Sequence, residues 1–347
     1  MSWSVQAVIM VCEMVLGYFL GRVLIPCFRK TKTGKFDIYI GDRFAKDGSE
    51  PKFGGVIIMM CVIIGIVIGL MFDGDTQTLS FSAGYSKRMA LISLGAVIML
   101  TAIGVSEDYV KEKKLGIGMK PIYKLLMEYL ICLGLCVCLK PYGGVSTAVL
   151  MPFHLGYIEF GKSFYVLFPL FMTIGINAVK IHDCAGGRTD TGVDGLCAVT
   201  ALVFSAGLSS GFAATSSADT AQLFAVVTMG AAAGFLFWGC DPAKLYLGES
   251  GALALGSLMT VSVLLSGLHL VFILAGAAAI IDGICALLQY AAFKTRKKLL
   301  FKGYTLHEHL MKKGWGAFKI LGADAAVSAL GSAAAIMFIV YASKISM

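Results

Sequence analysis

An all-α membrane protein of about ten transmembrane helices, with both termini outside, is the fold class this sequence predicts, and three observations carry it. Of the 347 residues, 58% are hydrophobic and only 14% charged, whereas an ordinary globular domain carries about a quarter charged residues. The 29 Lys and Arg with 21 Asp and Glu cannot clothe a water-soluble surface of this size. Ten stretches approach the roughly 20 mainly apolar residues that a helix needs to cross about 30 Å of hydrocarbon. Alternating strand patterns are absent, which excludes a β-barrel. The chain reads as a single integral-membrane domain over 1–347.

The spans fall near 5–26, 54–72, 89–106, 121–139, 163–179, 194–212, 220–239, 251–266, 268–292 and 323–343, the shorter ones borrowing flanking residues at their ends. The first carries Glu13 and Arg22 and lacks a small-residue cleavage site, so it is a retained helix and not a signal peptide. Orientation follows from the loops. Those on the side of 27–53 hold 22 of the 29 Lys and Arg, and positive loops stay in the cytoplasm. A net charge of +8 would also suit nucleic-acid binding, but these basic residues sit in short loops between apolar runs and form no stripe, so no nucleic-acid partner is expected. Six of the ten cysteines (Cys61, Cys132, Cys136, Cys138, Cys197 and Cys285) lie inside apolar runs, where they read as buried free thiols.

The inner loops also hold most of the residues capable of chemistry. Lys111 follows Glu107 and Asp108 by four and three residues, so it shares a helix face with both. The next inner loop runs from Asn177 through Lys180, His182, Asp183 and Asp190 to Gly192 and Asp194; its glycines permit close backbone approach and its acids suit a hard cation. Glu249, after Tyr246 and Gly248, stands at the mouth of a membrane helix, a costly place for a charge unless it is paired or metal-bound. In the last loop His307, Glu308 and His309 sit among lysines before Gly314-Trp315, which fits an interfacial segment contacting lipid phosphate. The two histidines, spaced two apart, share no helix face and suit zinc poorly. A transporter would place polar groups nearer the midplane. Only Glu13, Lys124, Glu128, Asp282 and Asp324 are candidates for that, so an interfacial enzyme acting on a phosphorylated substrate is favoured.

Four segments resemble a known family. Pro51-Lys-Phe-Gly54-Gly55 looks like its Pro-Thr-Met-Gly-Gly entry to the second helix, and Glu107-Asp108-Tyr109-Val-Lys111 is similar to its Asp-Asp-Tyr-x-Lys motif. The run from Pro242 to Gly256 tracks its Pro-Ala-x-Val-Phe-Met-Gly-Asp-x-Gly-Ser-Leu-Ala-Leu-Gly segment, and the run from Leu306 to Trp315 parallels Leu-His-His-His-Phe-Glu-Leu-Lys-Gly-Trp. The family is phospho-N-acetylmuramoyl-pentapeptide transferase (translocase I), among the polyprenyl-phosphate sugar-1-phosphate transferases. The resemblance implies transfer of phospho-N-acetylmuramoyl-pentapeptide from its UDP carrier to undecaprenyl phosphate, giving lipid I and UMP on the cytoplasmic side of the bacterial inner membrane. It implies Mg²⁺ held by Glu249, catalytic roles for Asp108, Lys111, Asp183 and His307, and substrate binding by Glu107, Asn177, Lys180, Gly192, Asp194, Tyr246 and His309, with Tyr246 stacking on uracil. Membrane lipid is the surrounding partner, and a homodimer is an allowed assembly.

The departures gather in the site. Glu107, Glu249 and Glu308 replace two aspartates and a histidine of the pattern, and Lys180 replaces its second Asn. About eight extra residues separate Asp183 from Gly192, which leaves Asp183 and Asp190 as alternatives for the catalytic aspartate; Asp183 keeps its spacing from Asn177. Three readings stay open: lipid I synthesis, a related transferase using another UDP-sugar, and a paralogue that binds lipid phosphate or nucleotide without turnover.

Overall fold

The computed structural model describes residues 3–31, 51–72, 81–113, 118–142, 145–152, 155–183, 193–215 and 219–345. In these residues the helices run in the order α1 (Trp3–Thr31), α2 (Gly54–Phe72), α3 (Phe81–Lys113), α4 (Pro121–Leu139), α5 (Phe164–Asp183), α6 (Leu196–Thr215), α7 (Asp219–Gly239), α8 (Gly248–Ser266), α9 (Val271–Ala275), α10 (Ala277–Arg296), α11 (Leu306–Lys312) and α12 (Ala317–Ile345). All but α9 and α11 are long and apolar enough to cross a membrane, which gives the ten expected spans and makes this a multi-pass helical membrane protein. The cysteines expected to be buried are so at 61, 132, 136 and 197; Cys138 is exposed and Cys285 half-buried, both on apolar helices.

Two local differences separate the fold from the sequence reading. The ninth span does not begin at 268: Gly267, at φ +69°, closes α8 through its N–H to the Leu264 carbonyl, and α9 stops at Gly276 before α10 starts. A Cβ on Gly276 would meet the Phe272 carbonyl oxygen at 2.7 Å. The segment is apolar on both sides of these glycines, so hydropathy runs through the break. A two-stranded antiparallel hairpin, β1 (Ala148–Leu150) with β2 (Tyr157–Glu159), pairs Ala148 with Glu159 between α4 and α5; strands of three residues are too short to show alternation.

His269, in the connection after α8, fastens that helix to the hairpin end. Its Nε2 donates to the Ser146 carbonyl at 3.1 Å and its ring packs on Phe164 and Phe168. Burial, only partly offset by the Ser146 hydrogen bond, pushes its pKa down to about 4. The neutral form is the one the fold prefers, so this contribution is intact above pH ~6.5 and is lost as pH falls towards 4. Thermal unfolding in detergent should therefore show Tm falling between pH 6.5 and 4.5 by more in the wild type than in His269→Leu. Parallel curves would remove His269 from the account.

α8 is the centre of the molecule. It packs against α2, α3, α5 and α7, and from Glu249 to Leu264 every residue is buried. Such close packing inside a membrane relies on small residues, and here two glycines place the first turn of α8. A Cβ on Gly55 of α2 would sit 2.3 Å from the Ser250 carbonyl carbon, and one on Gly104 of α3 would sit 2.5 Å from the Ser250 Cα. Both obstacles are backbone, which cannot swing aside. Gly104→Leu should push α3 off α8 and lower detergent-solubilised yield and Tm sharply, whereas Gly95→Leu on the same helix, where a Cβ meets nothing within 4 Å, should be tolerated. Equal effects would count against this packing account.

Candidate active site

Gly104 lies one turn before Asp108, so the contact that seats α8 also brings the end of α3 to its N-terminus. Asp108 Oδ1 accepts the Glu249 N–H and Oδ2 the Ser250 N–H, each at 2.9 Å. These are among the donors that a helix start leaves without intrahelical partners, at the end where the macrodipole favours an anion. Gly248, at φ +71°, makes the turn into α8; a Cβ there would meet the Lys52 carbonyl oxygen at 2.2 Å and Asp108 Oδ2 at 2.8 Å. The strand-like exchange of Gly54 N–H to Tyr246 O (3.1 Å) and Tyr246 N–H to Pro51 O (3.0 Å) ties the entry of α2 to the same turn.

With α8 so placed, Glu249 receives three ammonium groups. Lys111 Nζ is 2.7 Å from Oε1, while Lys124 Nζ and Lys180 Nζ are 2.6 and 3.1 Å from Oε2. They come from α3, α4 and α5, so one carboxylate gathers the ends of three helices. Lys111 also approaches Glu107 Oε1 at 3.4 Å, and Glu107 Oε2 accepts the Met119 N–H at 2.9 Å, which fixes the chain just before α4. One turn deeper, the Asn177 amide donates to Glu128 Oε2 and, at 2.9 Å, to the Thr173 carbonyl. Asp194 Oδ2 accepts the Ala243 N–H at 3.2 Å and ties the turn before α6 to the α7–α8 connection.

Three of the four inner clusters thus come together around Glu249, with Asp108, Lys111 and Lys180 all joined directly to Glu249 or its backbone. Lys124 belongs with them, although its place inside an apolar run pointed towards a midplane role; an ionisable residue at that depth, four residues before Glu128, was the available signal. Asp183 ends α5 three residues after Lys180, and it has no hydrogen bond or ion pair within the described residues. Gly192 and Asp190 lie outside the described residues.

The fourth cluster has partners of its own. His307, expected to offer positive charge to a phosphate, is buried and turns both ring nitrogens inward, Nδ1 to Asp282 Oδ2 at 2.6 Å and Nε2 to Thr305 Oγ1 at 3.1 Å. His309 Nδ1 accepts the Lys302 N–H at 3.1 Å. Partial burial and the charges of Lys313 and Lys302 hold it below the ordinary histidine range, so it is a neutral acceptor. Glu308 has a local reason. Thr305 caps α11 by accepting the Glu308 N–H at 3.4 Å, and the Glu308 carboxylate reaches back to the Tyr304 N–H. This is a variant of the Thr-x-x-Glu capping box, and it is legible in the sequence.

Magnesium binds carboxylate, phosphate and water oxygens in near-octahedral geometry. As paired here Glu249, Asp108 and Glu107 do not fit it. Both oxygens of Glu249 hold ammonium groups, both of Asp108 hold backbone N–H groups, and Glu107 is divided between Met119 and Lys111. What the arrangement offers chemically is three clustered positive charges, which suits a diphosphate.

Comparison with known proteins gives the family of the chain. Residues 90–267, from α3 through α8, match the family described as glycosyl transferase family 4. Curated relatives named phospho-N-acetylmuramoyl-pentapeptide-transferase include that of Carboxydothermus hydrogenoformans, 29% identical with 87% of this chain and 88% of the relative covered. That of Bacillus subtilis is 27% identical over 88% and 89% of the two chains, and one from Clostridium perfringens 29% over 90% and 91%. Because the match takes in more than half of the chain and includes the helices that carry Asp108, Lys111, Lys124, Lys180 and Glu249, this protein belongs to glycosyl transferase family 4.

Proposed function

We propose that the protein transfers phospho-N-acetylmuramoyl-pentapeptide from UDP to undecaprenyl phosphate, releasing UMP and leaving lipid I on the cytoplasmic side of the bacterial inner membrane, with both termini outside. The observation that carries the reading is the convergence of Lys111, Lys124 and Lys180 at the membrane-face end of α8. An oxygen of the lipid phosphate attacks the β-phosphorus of the UDP-sugar; the new P–O bond forms as the bond to the α-phosphate oxygen breaks, and UMP departs. A phosphate monoester has a second pKa of about 6 and is largely ionised at neutral pH, so no general base is required. Phosphoryl transfer is helped chiefly by positioning and by neutralising charge on the transferring group. The three lysines supply that charge once the diphosphate competes with Glu249 for them. Asp183, without a bond to the described residues, is the acid available to orient the incoming phosphate or the sugar, and Tyr246, half-buried beside the turn into α8, is placed for the uracil.

The test is UMP release by purified protein given undecaprenyl phosphate and either UDP-N-acetylmuramoyl-pentapeptide or UDP-N-acetylglucosamine, with and without Mg²⁺. Release from the first donor and not the second supports the proposal, and the reverse assigns another sugar. A strict Mg²⁺ requirement would show that the cation binds at Asp183 or displaces an ammonium group from Glu249. Because Glu249 is already saturated by lysines, nucleotide binding without turnover is the second reading, and UDP-sugar binding with no UMP in any arm would establish it. Lys180→Asn removes one of three charge-assisted contacts and should slow release about tenfold, the equivalent of about 1.4 kcal/mol. An unchanged rate would take Lys180 out of the site.

A further inference from the structure

A second group of buried ionisable side chains sits where α5, α10 and α11 meet, joined to Glu249 by no hydrogen bond or ion pair among the described residues. His182 Nδ1 and His307 Nδ1 lie 2.7 and 2.6 Å from the same oxygen, Asp282 Oδ2, with their rings at 89° to one another. All three side chains are buried. The other oxygen of Asp282 accepts the Leu306 N–H at 2.8 Å, which fixes the plane of the carboxylate.

The Nε2 nitrogens decide the chemistry. Thr200 Oγ1 is 2.6 Å from Asp324 Oδ2, and a carboxylate accepts, so the single hydroxyl hydrogen is committed there. At 2.9 Å from His182 Nε2 that hydroxyl can only accept, so His182 carries an Nε2–H, and its 2.7 Å contact with Asp282 uses a further proton on Nδ1 that a metal ion would displace. Thr305 Oγ1 lies 3.1 Å from His307 Nε2, where it can accept an Nε2–H. Both histidines therefore have an oxygen outside to hold an Nε2–H and present Nδ1 to one carboxylate inside. Ligating histidines in metal centres are held in this way, their tautomer and ring orientation set by an acceptor on the far nitrogen.

We propose that His182, Asp282 and His307 bind a divalent transition-metal ion of the Zn²⁺ class, the histidines through Nδ1 and the aspartate through Oδ2. Zinc bonds of about 2.0–2.1 Å put tetrahedral ligands about 3.3 Å apart. The two short contacts must open by about 0.6 Å, within the reach of a small turn of the Asp282 carboxylate. Two imidazoles and one carboxylate suit zinc and disfavour magnesium, and the fourth position is left for water. The ion joins α5, α10 and α11 at the residue before Asp183, so it sets where α5 ends. The site does not rest on the function proposed above.

The experiment uses the full chain in detergent, stripped with a chelator, loaded with Zn²⁺, passed through gel filtration and analysed for metal by mass spectrometry. One Zn²⁺ per chain is expected, lost in His182→Gln and in His307→Gln and kept in His309→Gln. Should the glutamine variants fail to fold, His182→Cys decides: loaded with Co²⁺ it gains a thiolate-to-metal charge-transfer band that the wild type lacks. A wild type that retains no zinc, retention unaltered by His182→Gln, equal loss in His309→Gln, or a Co²⁺ spectrum of His182→Cys without that band would each overturn the site.

Discussion

Glu249→Ala should produce the largest loss of any single substitution in this protein, cutting UMP release at least 100-fold and lowering Tm by several degrees. Removing the carboxylate leaves three ammonium groups facing one another. Lys124 carries most of the penalty because its side chain is 5% exposed, against 20% for Lys180 and 36% for Lys111. Breaking a buried ion pair by deleting one partner costs about 3–5 kcal/mol, and solvent screening reduces the part that falls on Lys111. Two controls separate charge from shape. Glu249→Gln keeps the acceptor oxygen but not the charge and should lose less stability than the alanine, while Glu249→Asp, one methylene shorter, cannot reach all three lysines from the same backbone position. Because the deficit is one of negative charge, millimolar pyrophosphate should restore much of the lost Tm in Glu249→Ala and little in the wild type. If pyrophosphate raised both equally, the lysines would not be the anion site.

The span pattern was readable because it depends on composition alone, and nine of the ten spans keep the expected placement to within a few residues at their described ends, α3 and α12 running longer. The ninth was misplaced because Gly267 and Gly276 interrupt the helix by backbone conformation, which an apolar window does not register. The convergence of three inner loops was also readable, since charge bias put them on one side and the motif resemblance put them in one site. Lys124 and His182 were not assigned to a site from the sequence. Each sits in an apolar helix, and what gives it meaning is a partner 125 or 100 residues away in sequence, Glu249 for one and Asp282 for the other. Spacing within a segment carries no information about such pairs. His307 is the converse case: a motif position suggested contact with phosphate, and the structure pairs the side chain with Asp282 on α10, an acid that the sequence offered only as a midplane candidate.

Asp108→Asn should reduce UMP release by about 100-fold, and the loss should be the same from pH 6 to pH 9. The reason is positional. Both Asp108 oxygens are spent on the Glu249 and Ser250 N–H groups, so this carboxylate holds the first turn of α8, and with it the Glu249 side chain, at the point where the lysines meet. An asparagine offers one acceptor and turns an NH₂ group towards the other N–H. That leaves a buried donor without a partner, which costs about 1–3 kcal/mol, and removes the negative charge from the helix start, worth up to about 1 kcal/mol more. A misplaced Glu249 then misplaces three lysines at once, and a 1 Å error at a reacting centre can cost about 10²-fold in rate. If Asp108 were instead the base that deprotonates the lipid phosphate, Asp108→Asn would regain activity as rising pH ionised the phosphate without help. A flat profile together with a lowered Tm is the signature of the capping role; recovery above pH 7 at unchanged Tm would return Asp108 to the chemistry. Asp183→Asn is the necessary comparison, because Asp183 is bound to nothing among the described residues. It should lose activity while keeping the wild-type Tm, and only a substitution at Asp108 should lower both together.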